Sequence, residues 1–272
     1  MSEQTIDLPA LDSRYDITPE QAKAFQRDGH ILLRGVATPE EVAAYGPVIR
    51  EAALRHNTET RPLEERDTYG KAFLQIMNLW THDDVVKRFV TARRFAQVAA
   101  DLMGVESVRL YHDQALFKEG GGGYTPLHTD QQFWPLDTEN MVTMWMPLVD
   151  IPDEIGGLGF ASGSHRTERL AGHGISDKSE ADLQEFIREH GLELVQTPGM
   201  RAGDVTFHYG WTLHRAPANP SKEMRAVMTV IYFEDGARLM PLTDFTRMDA
   251  AQWLPGAAEG EPVETPLNPR LT

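Results

Sequence analysis

The stretch RAVMTVIYF at positions 225–233 is the part of this 272-residue sequence that decides its fold. After Arg225, β-branched, aromatic and other apolar residues fill positions 226–233 without a glycine or proline, which predicts a buried strand. Similar short runs precede it, separated by Gly, Pro and Asp clusters, at residues 105–110, 115–118, 142–148, 192–196 and 204–208. Strands in series without alternating helices predict an antiparallel double-stranded β-helix, or jelly roll, rather than a parallel sheet.

The residues before this core predict a helical layer. Thr18-Pro19-Glu20-Gln21 and Thr38-Pro39-Glu40-Glu41 each combine a capping Thr, a Pro at the first helical position and the reciprocal Gln or Glu of a capping box. We expect helices from these points to about Asp28 and Arg55, and one short strand, His30–Leu33, between them. The sequence therefore predicts one α+β domain with a mainly β core over residues 1–272: packing helices at about 15–104, a jelly roll with one inserted helix at about 105–235, and an extended, proline-rich strap at about 240–272.

Composition excludes several classes of protein. The chain has 41 acidic and 26 basic residues and a net charge of −15, which disfavours nucleic acid and anionic membrane surfaces as partners. It has no cysteine, so any metal must use the ten histidines or the carboxylates. The N-terminus lacks a basic and apolar leader, and no apolar stretch reaches membrane-spanning length, so we expect a cytoplasmic protein.

Two H-x-D pairs are candidates for a metal site of two histidines and one carboxylate. His82-Asp83-Asp84 opens a predicted helix, where acidic residues cap free N–H groups. His128-Thr129-Asp130 instead follows the four-glycine loop at residues 120–123 in a strand-like context. Because residues i and i+2 of an extended segment point the same way, His128 and Asp130 can reach one ion together.

Spacing alone leaves the third ligand open. An iron that uses a 2-oxo acid also needs a cation for the far carboxylate, and the planar fork of Arg suits this task. His214 is followed eleven residues later by Arg225, and His190 is followed at the same interval by Arg201. His190, however, ends a predicted helix before Gly191, where a histidine has structural reasons to occur.

Two blocks of sequence carry a family resemblance. Gly203-Asp204-x-x-Phe207-His208, followed by His214, Asn219 and Arg225, resembles the C-terminal signature of the phytanoyl-CoA dioxygenase family of Fe(II)- and 2-oxoglutarate-dependent oxygenases. The middle of the chain is similar to the family in the same order, over about residues 15–240 in all, through His128-Thr129-Asp130, the tryptophan strand WMPLVDI at 145–151, Gly157-Leu158 and Gly163-Ser164-His165.

The resemblance implies a set of site residues and a reaction. It implies that His128, Asp130 and His214 ligate iron and that Arg225 binds the C5 carboxylate of 2-oxoglutarate. Cosubstrate contacts are implied for Gln114, Trp145 and Lys71. With Fe(II), 2-oxoglutarate and O2, such an enzyme hydroxylates a C–H bond of a small molecule and releases succinate and CO2. Asp130 makes halogenation an unexpected reaction, because related halogenases carry a small residue at this position. Ala216 differs from many family members, which have a hydroxyl residue there.

Other interpretations stay open at this point. Trp145 can be a core residue, Gln114 can satisfy a sheet edge and Lys71 can be a solvated charge. We expect His165 to cap a turn and His208 to support the site rather than bind metal. A cupin-type jelly-roll metal protein, an isomerase or binder without 2-oxoglutarate, is one rival class, and a degenerate interaction module is another. CoA would need a basic patch, for which the candidates are Arg93, Arg94, Arg166 and Arg169, and the oligomeric state is not predicted.

Overall fold

The computed structural model describes residues 8–168, 172 and 174–272. Its helices and strands follow one another in this order: α1 (Pro19–Asp28), β1 (His30–Leu33), α2 (Pro39–His56), α3 (Thr68–Ala72), β2 (Leu74–Met77), α4 (Asp84–Val90), α5 (Arg93–Met103), β3 (Val108–Lys118), β4 (Thr125–His128), β5 (Met141–Pro147), β6 (Gly159–Ala161), α6 (Asp177–Glu189), β7 (Leu194–Gln196), β8 (Val205–Tyr209), β9 (His214–Ala216), β10 (Arg225–Glu234) and α7 (Arg247–Trp253).

Two antiparallel sheets form the core. The larger has the strand order β1-β8-β5-β10-β3-β2 and the smaller the order β4-β9-β6-β7. Strand β10, which contains the stretch at 225–233, lies in the interior of the larger sheet, where Thr229 is paired with both Gln114 and Trp145. Neighbouring strands that are distant in sequence are typical of a jelly roll. The predicted α+β fold with a double-stranded β-helix core is confirmed.

The two faces of the larger sheet differ in chemistry because side chains alternate along each strand. Ala226, Met228 and Val230 of β10 belong to the main apolar core beneath the helices. Arg225 and Thr229 of the same strand line a cavity on the opposite face, towards the smaller sheet. The strand pattern therefore separates a structural face from a face that is free to carry chemistry.

The helices cover the structural face. The side chains of Thr18 and Thr38 each accept a hydrogen bond from the backbone N–H three residues later. The side chains of Gln21 and Glu41 in turn accept one from the backbone N–H of Thr18 and Thr38, so both predicted capping boxes are present. Phe89 and Phe95 of α4 and α5 are buried in the same core as the sheet residues. Across the described ranges, every helix is too short or too polar to span a membrane.

Two departures from the predicted elements occur next to the cavity. The sequence predicts separate strands at residues 105–110 and 115–118, but β3 runs unbroken and has a bulge at Tyr111, since Ile231 pairs with His112 and Tyr232 with Leu110. His112 and Asp113, which interrupt the apolar pattern, are buried, and the carboxylate of Asp113 accepts hydrogen bonds from the backbone N–H groups of Leu79 and Trp80. The predicted helical part also contains a second strand, β2, which pairs with β3.

The C-terminal strap is not extended throughout, because it contains helix α7. Ala250 and Trp253 lie one helical turn apart and are buried with Trp134 in a second apolar cluster. This burial outweighs the local proline-rich composition. Beyond α7, backbone hydrogen bonds join Leu271 to Val108 and Leu110 to Pro269, so the end of the chain lies along β3.

Candidate functional site

A cavity of about 480 Å³ lies between the two sheets. Both sheets contribute to it, the larger through Trp145 and Arg225 and the smaller through His128 and His214. Helix α7 adds a further wall with Asp249 and Trp253.

Strand pairing brings the two histidines together. His128, the last residue of β4, is paired directly with His214, the first residue of β9, and their ring centroids lie 4.1 Å apart. Asp130 follows two residues after His128, and its Oδ1 lies 3.5 Å from His128 Nε2 and 3.6 Å from His214 Nε2. One donor atom from each of the three residues lies within 4.8 Å of the others. The predicted triad therefore converges in space.

Hydrogen bonds fix the orientation of both imidazoles. His128 Nδ1 lies 2.7 Å from the carbonyl oxygen of Pro126, and His214 Nδ1 lies 3.0 Å from that of Thr212. Nδ1 therefore carries the proton and Nε2 presents its lone pair, as in most metal-binding histidines. Burial lowers the pKa of both rings to about 4, so they are neutral near pH 7 and able to ligate a cation.

Asp130 is held through the oxygen that points away from the histidines. Thr143 Oγ1 donates to Asp130 Oδ2 at 2.9 Å, and His208 Nε2 lies 3.3 Å from the same oxygen. The backbone N–H of Asp130 donates to the carbonyl of Gly210, where a Cβ atom would come within 2.7 Å of the Trp134 ring. Oδ1 is left to complete a facial set of two nitrogens and one oxygen, which fits Fe(II).

Arg225 is a buried cation without a hydrogen-bond partner on two of its nitrogens. Its Nε and Nη1 have none among the described residues, although the residue is only 6% exposed. Its Cζ atom lies 5.4 Å from the centroid of the Trp145 ring, and burial lowers its pKa to about 10, which leaves it charged near pH 7. A buried guanidinium without an anion is costly, so this arrangement fits a ligand carboxylate such as that of 2-oxoglutarate.

Gln114 also lines the cavity. Its Oε1 accepts a hydrogen bond from Gln75 Nε2 at 2.6 Å, and Gln75 Oε1 in turn accepts one from the hydroxyl of Tyr69. This chain of bonds orients the amide of Gln114 and leaves its NH2 group to donate to a ligand.

Lys71 lies on α3, and its side chain is not among those that line the cavity. Its backbone carbonyl accepts a hydrogen bond from Gly123, which connects α3 to the glycine loop. Lys118, which no sequence motif singles out, is the lysine whose side chain lies near Arg225. Burial and this neighbouring charge lower its pKa to about 6, and it donates to the carbonyl of Gly123.

The competing pairs are not brought to the cavity. His190 ends α6, where its Nδ1 lies 2.9 Å from the carbonyl of Phe186, and Arg201 is exposed at a different surface. Asp83 caps α4 through two backbone N–H groups, as the sequence predicted. His165 forms part of a short turn, and His208 contacts Asp130 as a supporting residue.

The sequence analysis did not identify Thr143 as a residue that supports Asp130, although it is the one polar residue in the apolar strand MVTMWMP.

A jelly roll with two histidines and one carboxylate beside a buried arginine defines the class of non-haem iron oxygenases that use a 2-oxo acid. The sequence model of the phytanoyl-CoA dioxygenase family matches residues 25–227, and the chain belongs to this family.

Three similar proteins agree with this class. The probable alpha-ketoglutarate-dependent hypophosphite dioxygenase of Stutzerimonas stutzeri is 21% identical over 78% of this chain and 77% of its own length. The ectoine dioxygenase of Sphingopyxis alaskensis is 26% identical over 85% and 78%. The structure of the epimerase SnoN in complex with Fe3+, alpha ketoglutarate and nogalamycin RO is 28% identical, covers 92% of this chain and 97% of that one, and has a TM-score of 0.75.

The protein is accordingly an Fe(II)- and 2-oxoglutarate-dependent dioxygenase, with O2 as its second cosubstrate. The rival interpretation as a cupin-type protein without 2-oxoglutarate is not supported.

Proposed function

We propose that His128, Asp130 and His214 hold the iron, that Arg225 binds the C5 carboxylate of 2-oxoglutarate, and that the enzyme hydroxylates a C–H bond of a small molecule. One observation carries this proposal: three convergent donor atoms and a buried guanidinium with free N–H groups line the same cavity. Trp145 and Gln114 supply further cosubstrate contacts. The contact implied for Lys71 stays a prediction.

The bound iron and 2-oxoglutarate supply the oxidising chemistry, with succinate and CO2 as products of the cosubstrate. The chain supplies geometry and exclusion of water. Thr143 and His208 hold Asp130, the carbonyls of Pro126 and Thr212 hold the two imidazoles, and Arg225 orients the cosubstrate against Trp145. Such supporting contacts keep the three ligands on one face, so that the remaining positions serve the reaction.

The cavity argues for a substrate smaller than a CoA thioester. Among the described residues only two arginines line it, Arg215 and Arg225, and Arg215 Nη1 lies 3.4 Å from Glu180. Arg94 is buried in an ion pair with Glu41, Arg93 and Arg166 are not cavity residues, and Arg169 lies outside the described residues. No described cluster of cations is available for the phosphates of CoA. A cytoplasmic location and the absence of nucleic-acid and membrane partners also stay predictions.

The assignment of residues is tested by anaerobic titration with Fe(II) and then 2-oxoglutarate, following the visible charge-transfer band of the chelated 2-oxo acid. We expect the band in the wild-type protein and in the control variants His190→Ala and Arg201→Ala. Asp130→Ala should abolish it, and Arg225→Ala should shift it to much higher 2-oxoglutarate concentration. A band that disappears in His190→Ala and persists in Asp130→Ala would overturn the ligand set.

Hydroxylation is tested once a compound stimulates succinate release. We expect its product to gain one oxygen atom, and labelled O2 should supply that atom. A product that loses two hydrogens, or one that keeps its composition with an inverted centre, would replace hydroxylation by desaturation or epimerisation at the same metal centre.

A further inference from the structure

One wall of the cavity comes from outside the region that the family model matches. That region ends at residue 227, whereas α7 begins at Arg247. Asp249, Gln252 and Trp253 of this helix line the cavity together with the iron-site residues. A wall built by a segment beyond the matched region is a natural place for the features that select the substrate of this particular enzyme.

Asp249 is the notable residue of this wall. The hydroxyl of Tyr111 donates a hydrogen bond to its Oδ2, and no Lys, Arg or His of the described ranges lies within ion-pair distance of its carboxylate. Burial raises its pKa to about 6, while hydrogen bonds from Tyr111 and Trp253 act in the opposite direction. Asp249 is therefore ionised for the most part at pH 7.5, as a carboxylate without a protein cation beside it.

The surroundings of Asp249 are aromatic. The ring centroids of His112 and Trp253 lie 5.0 Å apart, and those of Tyr111 and Trp134 lie 5.5 Å apart. Consecutive residues of a regular strand point to opposite faces of the sheet. The bulge of β3 changes this pattern locally, so that Tyr111 contacts Asp249 and its neighbour His112 lines the cavity. Nδ1 of His112, which is 1% exposed, has no hydrogen-bond partner among the described residues.

The other charged groups of the cavity already have partners or roles. Asp130 belongs to the metal site, Arg225 faces the cosubstrate and Arg215 lies beside Glu180. Among the Asp and Arg side chains that line the cavity, Asp249 is therefore the one available to bind a charged group of the substrate. A carboxylate among aromatic rings attracts an organic cation, because the charge pair and the faces of the rings act together.

We propose that the substrate is an organic amine whose protonated nitrogen binds Asp249 and whose apolar body lies against Trp253 and Trp134. This inference rests on the proposed function only in placing the substrate in the same cavity as the iron. It adds the chemical class of the substrate and assigns specificity to the C-terminal helix.

Two small probes of nearly equal shape test the proposal, benzylammonium and benzyl alcohol. Each is titrated at pH 7.5 into the protein loaded with Fe(II) and 2-oxoglutarate without oxygen, with tryptophan fluorescence as the readout. We expect the cation to bind about tenfold more tightly or better, as a charge-assisted contact requires. Equal affinity, or no binding of either probe, would overturn the proposal.

Matched variants identify the residue responsible. Asp249→Asn keeps an oxygen that can accept from Tyr111 but removes the charge, so the preference for the cation should fall to about twofold or less. Asp244→Asn removes an exposed carboxylate from the same segment and should behave as the wild type. A preference that persists in Asp249→Asn would overturn the assignment. The wild-type comparison decides alone if this variant does not fold.

Failure of this inference is distinguishable from failure of the proposed function. The charge-transfer band reports iron and 2-oxoglutarate binding without any amine. A normal band with no preference for benzylammonium would overturn only the substrate class. The absence of the band would overturn the proposed metal and cosubstrate residues, while fluorescence titration of the metal-free protein would still measure the amine preference.

Discussion

Replacing Thr143 with Val tests whether the metal ligands are positioned by the strand that lies behind them. Thr143 lies on β5, is 5% exposed and donates from Oγ1 to Asp130 Oδ2 at 2.9 Å. Valine has nearly the same shape and no donor, so the change removes this hydrogen bond without opening a cavity. The backbone position and the apolar neighbours of the strand stay as they are.

The geometry sets the expected magnitude. A hydrogen bond to a charged acceptor contributes about 1.5 to 3 kcal/mol, and each 1.4 kcal/mol corresponds to about tenfold in affinity. Asp130 Oδ2 keeps its second contact with His208 Nε2 at 3.3 Å, so the carboxylate loses its shorter hydrogen bond and is not fully released. We therefore expect Fe(II) to bind about 10- to 100-fold more weakly to Thr143→Val, which is the usual range for contacts that support a metal ligand.

The assay is an anaerobic Fe(II) titration with a competing chelator, and Thr206→Val is the control. Thr206 is buried on the neighbouring strand β8, but its Oγ1 has no hydrogen-bond partner within the described structure. The same chemical change there removes a hydroxyl and breaks no bond, so iron affinity should stay as in the wild type. Iron affinity within twofold of wild type in Thr143→Val would refute the view that this hydroxyl positions Asp130.

Further outcomes follow from the same contacts. Asp130→Ala leaves two neutral nitrogen ligands, so Fe(II) binding and iron-dependent succinate formation should both be lost, as measured by titration and product assay. Arg225→Ala should weaken 2-oxoglutarate binding by about 2 to 5 kcal/mol and leave the affinity for Fe(II) unchanged. Arg201→Ala should change neither the 2-oxoglutarate affinity nor the Fe(II) affinity. The metal-free protein should lose stability as the pH falls from about 6.5 towards 4. In the folded state the pKa of His128 and that of His214 are lowered to about 4. The unfolded chain therefore takes up protons at these histidines at a higher pH than the folded protein does, which favours unfolding. Urea unfolding at several pH values checks this slope, about 1.4 kcal/mol per pH unit for each histidine, and a flat profile would contradict it.

Most of the fold could be predicted from local signals. The capping boxes at Thr18 and Thr38 located the first helices to within a residue or two, because the cap chemistry is local to four residues. The β-rich runs located β3, β5, β8 and β10 of the larger sheet, since a buried strand needs an uninterrupted apolar face, but they did not include β2 of the same sheet. The convergence of His128 with His214 depends on the pairing of β4 with β9, which spacing alone does not specify. The family resemblance supplied this information.

The parts that were not predicted depend on contacts between distant segments. The bulge at Tyr111 arises from the register between β3 and β10, and the polar run around it is acceptable only because backbone N–H groups of Leu79 and Trp80 satisfy Asp113. Helix α7 forms because Ala250 and Trp253 cover a second apolar cluster. A proline-rich segment gives no local sign of this burial, so the sequence alone did not predict that the helix containing Asp249 forms a wall of the cavity.

The cavity contains a buried cation, Arg225, and a partly buried anion, Asp249, that do not pair with each other. Arg225 begins β10 and Asp249 lies on α7, and no ion pair joins them in the described structure. A direct pair would satisfy both charges within the protein and would oppose the binding of an anionic cosubstrate and a cationic substrate alike. Because different elements hold the two side chains apart, each keeps a free polar edge in the cavity. The unfavourable desolvation of both groups is tolerated by the surrounding core, and it is relieved when the two ligands bind, so 2-oxoglutarate should raise the melting temperature of the wild-type protein more than that of Arg225→Ala.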